Sequence, residues 1–139
     1  MMELPSRPEL LTPEQRRELT GPALRTFFRI ADAWSLSEAE QAKLLGLSDA
    51  AMVRHRQGKG GEAEALEAET LERISYILGI FKRINTLLPS PERADAWMRR
   101  PNSAQVFGGR SPIERLSTGT LEDLQAVRRY LDAEVWASP

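Results

Sequence analysis

The side chains that could do chemistry here are few in kind. The chain has one histidine, His55, and no cysteine in 139 residues. Disulfides, thiolate nucleophiles and Cys/His zinc sites are excluded by that inventory. A Ser/His/Asp triad would have to use His55, which lies in the arginine-rich stretch "MVRHRQGKG". A lone histidine without partner ligands is read as a structural residue or a phosphate contact. The pair of glycines in "FGGR" is not a nucleotide loop, because no Lys-Ser/Thr follows and no strand precedes it. Acidic residues stand at helical ion-pair spacing, as in Asp95 with Arg99. The chain is therefore not read as an enzyme, and no cofactor or metal is expected.

What remains is arginine chemistry. A guanidinium presents a planar fork of donors that fits carboxylates, phosphates and base edges. One group is Arg54, His55, Arg56, Gln57 and Lys59. A second surrounds the glycines: Arg99, Arg100 and Asn102 before them, Phe107, Arg110 and Ser111 beside them. A third is Arg128 and Arg129, with Trp136 further along. Gly108 and Gly109 free the backbone to turn sharply, and Ser111-Pro112 starts a helix at once. Arg110 is thus held at a tight junction. It can brace that turn by bonding its own fold, or project into a partner. Trp97 raises the same choice between core and interface.

The elements that position these groups read as helices, with no convincing strand. Proline at a first helical position marks starts at Thr12-Pro13, Gly21-Pro22, Ser90-Pro91 and Ser111-Pro112. Ser37…Glu40 and Ser111…Glu114 have the form of capping boxes, with Thr120…Asp123 a shorter variant. The spacing predicts helices over 13–20, 22–35, 38–46, 48–57, a long one within 62–87, then 91–100, 102–107, 112–117 and 121–136. In the long helix Leu71, Ile74, Ile77, Leu78, Ile80, Phe81, Ile84, Leu87 and Leu88 form a broad apolar face. That breadth suits a central core helix, and also a self-association face, so a homodimer is expected. "QGKGG" at 57–61 reads as the main internal boundary.

"SEAEQAKLLGLSDAAMVRHRQG" (37–58) has the geometry of a helix-turn-helix. Ala42 permits close crossing, Gly46 supplies the turn, and Leu45, Leu47 and Met52 join the helices. Ser48 can cap the second helix. That helix then presents Arg54, Arg56 and Gln57, which can read bases or grip phosphates, and operator DNA is the partner so implied. Asp49 at its start and the following Glu62, Glu64, Glu67 and Glu69 oppose DNA where they share its side.

Charged residues make up 28% and hydrophobic ones 41%, an ordinary globular balance. The net charge of -1 excludes a uniformly basic nucleic-acid binder but not a local patch. No apolar run reaches the ~18 residues of a membrane span, and the opening "MMELPSRPEL" lacks signal-peptide character. A cytoplasmic location with no membrane partner fits both.

The stretch Leu71 to Glu134 resembles the C-terminal domain of the MbcA/ParS/Xre antitoxins, partners of RES-domain toxins. The resemblance is carried by "AWMRRPN" (96–102), "FGGRSPIERL" (107–116) and "LEDLQAVRRYLDA" (121–133). The N-terminal half is similar to that family's helix-turn-helix, more loosely. The resemblance implies an all-α fold, with a helix-turn-helix domain in 1-60 followed by a C-terminal helical toxin-binding domain in 61-139. It implies dimerisation, a cognate RES-domain toxin that consumes NAD or transfers its ADP-ribose, neutralisation by covering the toxin's NAD site, and autorepression. Toxin contact then falls to Arg99, Arg100, Asn102, Phe107, Arg110, Ser111, Arg128, Arg129 and Trp136. DNA contact falls to Ser48, Arg54, His55, Arg56, Gln57 and Lys59. Two other classes compete: a dimeric repressor whose C-terminal unit senses a ligand in a closed pocket, and an adaptor whose helix-turn-helix no longer touches DNA.

Overall fold

The computed structural model describes residues 10–57 and 65–137. Seven helices follow in order: α1 (Pro13–Ala33), α2 (Glu38–Leu45), α3 (Asp49–Arg56), α4 (Ala68–Leu87), α5 (Pro91–Trp97), α6 (Pro112–Leu116) and α7 (Leu121–Ala137). The described residues contain no strand, as the sequence implied.

Helix starts follow the caps. Thr12, Ser37 and Ser111 each form a full capping box, with Gln15, Glu40 and Glu114 respectively. Ser48 and Ser90 accept the amides of Ala51 and Arg93. At the α2 C-terminus Gly46 adopts φ 68°, and Leu47 N–H donates back to Ala42 O at 3.0 Å. This left-handed ending turns the chain directly into α3.

Two expectations fail. Gly21-Pro22 does not divide the first segment, because α1 runs through it unbroken. Proline inside a helix forfeits one backbone bond and costs about 3 kcal/mol. Here the buried face Thr20, Ala23, Leu24, Phe27, Ile30 and Ala31 continues across the site, and its packing outweighs that loss. The second failure is the helix expected over 102–107, which is a series of turns. Asn102 Oδ1 takes the Ala104 amide at 2.9 Å, and Ala104 O takes those of Phe107 and Gly108 at 2.9 and 3.1 Å. An asparagine that bonds the backbone two residues on favours a turn over a helix.

The core does not divide at 57–61. Residues 58–61 lie outside the described ones, but a single apolar cluster joins Phe27, Ile30 and Trp34 of the first third to Ile77, Phe107 and Leu131 of the rest. α4 is its axis, packed against both α1 and α7. Two arginines reinforce the junction. Buried Arg73 of α4 donates to Lys43 O and Leu44 O at the end of α2, at 3.2 and 3.3 Å, and to Gly119 O at 3.0 Å. Arg99 does the same further along, as described below. Among the described residues no helix is long and apolar enough to cross a membrane.

Candidate functional site

The loop 102–110 closes on itself. Asn102 N–H donates to Arg110 O at 3.0 Å, and Gly109 N–H donates to Asn102 O at 2.9 Å. Gly108 and Gly109 have φ 59° and 87°, and a Cβ on either would meet nothing. They are glycines for backbone conformation alone. The Arg110 amide bonds Phe107 O at 3.1 Å, while its side chain is exposed and makes no bond or ion pair among the described residues. Its main chain is fixed and its guanidinium points away from the fold. The brace is another residue, Arg115, which donates to Val106 O and, at 2.6 Å, to Asp123 Oδ1. Burial pushes the Asp123 carboxyl up, but the hydroxyls of Thr118 and Thr120 and the Arg115 guanidinium outweigh it and hold it below the usual value. Sequence reasoning missed Arg115. Its position three residues after the Ser111-Pro112 start was the available signal, one turn back toward the loop.

Several other arginines are committed to the fold. Arg99 does not pair with Asp95. It grips both oxygens of Glu40 at 2.9 and 3.0 Å, and donates to Trp34 O and Ser35 O at 3.1 and 2.6 Å. That bidentate grip lowers the Glu40 carboxyl against some burial, with the Ser37 amide assisting. Asp95 instead is raised by burial and by the charge of Glu92. Arg128 donates to Asp132 Oδ1 at 3.2 Å, and Arg83 donates to the same oxygen at 2.8 Å.

The expected toxin-contact residues therefore separate. Phe107 is fully buried, edge-on to Trp97 and Tyr130 with centroids at 5.7 and 5.4 Å. Ser111 is buried as the α6 cap. Neither presents a surface to a partner, which corrects the expectation for both. Asn102 is half-buried in its turn. Arg100, Arg110, Arg129 and Trp136 all face outward, Trp136 with 91% of its surface exposed. Trp97 is half-buried against the core.

The helix-turn-helix takes the geometry expected of 37–57. The outer face of α3 carries Asp49, Ala50, Val53, Arg54 and Gln57, all exposed. Ser48 is exposed at its cap. His55 is only 8% exposed and turns into the fold, so it leaves the DNA-facing set. Arg56 is held by Gln41 Oε1 at 2.6 Å and lies 4.4 Å over the Phe28 ring. Lys59 lies outside the described residues. Val53, 43% exposed, belongs to this face and was not foreseen. Its type suggested core, and only the spacing from Asp49, Ala50 and Gln57 marks it as outward. An open groove of about 770 Å³ runs between α1 and α3, lined by Arg17, Leu24, Arg25, Phe28, His55 and Arg56 among others.

Comparison with known proteins matches these two surfaces to two family models. Residues 13–79 match the antitoxin Xre-like helix-turn-helix domain, and residues 85–135 match the antitoxin Xre/MbcA/ParS C-terminal toxin-binding domain. The first match ends and the second begins within α4, with residues 80–84 between them. Protein y4oB of Sinorhizobium fredii (strain NBRC 101917 / NGR234) is 43% identical over 111 residues, which cover 80% of this chain and 82% of that protein. A chain whose described residues form helices and no strand, with an antitoxin-type helix-turn-helix match in its first part and a toxin-binding-domain match in its second, belongs to the Xre/MbcA/ParS family of antitoxins.

Proposed function

We propose that this antitoxin neutralises a cognate RES-domain toxin by covering the site where that toxin binds NAD, and that it also represses its own operon as a homodimer. It acts without catalysis of its own. Residues 61-139 carry toxin binding and residues 1-60 carry operator binding, on a shared core. Arg100, Arg110, Arg128, Arg129 and Trp136 serve as toxin contacts, and Ser48, Arg54 and Gln57 serve DNA. The observation that carries the reading is Arg110: a guanidinium with no partner among the described residues, on a backbone pinned at both its N–H and its C=O. Such a group is pre-organised to pair with carboxylates in or around a partner's site. The resemblance of the loop sequence to antitoxins of RES toxins supports the choice of toxin.

The test is NAD consumption by the protein encoded beside this gene, with and without the full chain. A rate that falls in proportion to added chain, reaching its floor near stoichiometric ratio, supports the reading. A neighbour that consumes no NAD, or consumes it unchanged, overturns it.

A further inference from the structure

α4 and α7 lie side by side and run in the same direction, at a constant offset of 49 residues. Gln125 Nε2 donates to Tyr76 Oη at 3.4 Å, Arg128 lies across Gly79, and Arg83 bonds Asp132. One turn further the same offset sets Trp136 level with half-buried Leu87. Beside the buried Leu124, Val127 and Leu131, the accessible edge of the seam is thus polar over about two turns, with the exposed Trp136 at its end.

Its middle carries an unbalanced charge. Arg83 and Arg128 share a single carboxylate oxygen, Asp132 Oδ1. Both use Nε, which leaves the Nη groups of each without a partner among the described residues. Arg128 occupies the place where a Cβ on residue 79 would stand, so a helix-interior glycine is what lets the guanidinium lie flat on α4. Arg83 and Arg128 retain 33% and 24% side-chain exposure, enough to be reached. Two forks around one carboxylate leave one net positive charge and several planar donors.

We infer that the α4–α7 seam is where the antitoxin docks its toxin, with the paired guanidiniums of Arg83 and Arg128 receiving a carboxylate of the toxin and Trp136 filling an apolar pocket beside it. This rests on the proposed toxin-binding function and names the face that performs it. Arg83 and Trp136 both fall outside the stretch matched to the toxin-binding domain. A monoanionic carboxylate fits a surplus of one charge. Nucleic acid fits poorly, since α7 also carries Glu122, Asp123 and Glu134. Arginine and tryptophan are the residue types that dominate interface energetics when they are held rigid and then covered. An exposed tryptophan next to a half-satisfied ion cluster supplies both components.

The experiment is titration calorimetry of the full chain against the neighbouring gene's RES-domain product, at low and high salt, with Trp136→Ala, Arg83→Gln and Arg25→Ala. Arg25 is exposed on α1 and serves as the control. The expected result is a loss of affinity of about tenfold or more for Trp136→Ala and Arg83→Gln. Arg83→Gln should also flatten the salt dependence, while Arg25→Ala binds as the wild type does. Melting temperatures are measured in parallel. Should Arg83→Gln be destabilised, Trp136→Ala carries the test, because its side chain is almost wholly outside the fold. Wild-type binding with both seam variants unaffected overturns the inference and leaves the antitoxin function standing. Seam variants that lose operator DNA but keep the toxin overturn it in favour of a nucleic-acid face. A wild-type chain that does not bind the RES-domain product overturns the proposed function, and the inference with it.

Discussion

Arg99 and Glu40 stand 59 positions apart in sequence and meet through two hydrogen bonds, at 2.9 and 3.0 Å. The pair ties the end of α5 to the start of the helix-turn-helix. Arg99 is over a third exposed, so solvent screens the charge, and the bonds to Trp34 O and Ser35 O carry much of its worth. Arg99→Ala should lower stability by about 1–2 kcal/mol, read as a shift of the urea midpoint with unchanged slope.

The same pair sets an acid limit. The Glu40 carboxyl is lowered in the folded state, chiefly by Arg99. A lowered carboxylate adds stability that is complete above its unfolded pKa, about 4.3, and is lost as pH falls through the folded value. Glu40→Gln should therefore destabilise at neutral pH and reduce the steepness of the stability decline below about pH 4.3. Equal slopes in wild type and variant would refute the assignment.

Gly79→Ala improves helix propensity by ~1 kcal/mol yet drives a Cβ into the Arg128 guanidinium. The guanidinium is the far end of a flexible side chain and can move aside, so the net loss should be small, within about 1 kcal/mol. Adding Arg128→Ala should recover much of it, because the clash then has no second party. A double-mutant cycle by chemical denaturation measures the coupling, and strict additivity would refute it.

Arg110 and Arg115 should behave in opposite ways. Arg110→Ala should leave the melting temperature unchanged and weaken toxin neutralisation. Arg115→Ala breaks the bonds to Asp123 and Val106 and should cost about 2 kcal/mol before any toxin is present. Thermal melts alongside the NAD assay separate the two.

On the DNA side, Arg54→Ala should weaken operator binding about tenfold and reduce the salt slope by about one, the signature of a lost phosphate contact. His55→Gln should act on stability instead, since that side chain is inside. Fluorescence anisotropy over a salt series gives both numbers.

Local signals made much of this fold readable in advance. Ser37, Gly46 and Ser48 each act through their own neighbours, so the helix-turn-helix could be placed from them. The Ser111 box and the broad face of α4 were equally legible. What escaped were choices decided by distant partners. Pro22 reads as a start until the continuous buried face from Thr20 to Ile30 is known. Arg99 reads as a partner for Asp95, four residues away, until the fold brings Glu40 closer. Phe107 sits beside the exposed glycines, yet Trp97 and Tyr130 enclose it. Of the residues expected to meet a partner, Arg110 and Trp136 are exposed. Type and spacing did not single out Arg83 and Val53 as accessible, because a helix face is assigned only when its neighbours are.

Arg73 bears on how such a protein can be rebuilt. Its guanidinium joins the last carbonyls of α2 to Gly119, just ahead of α7. A chimaera cut at the 57–61 glycines would leave that side chain reaching for carbonyls that the donor parent never placed. Changing the surface of the helix-turn-helix in this antitoxin therefore calls for exchange of the outward residues of α3 alone. The frame beneath, from Trp34 to Gly119, is inherited as a single piece.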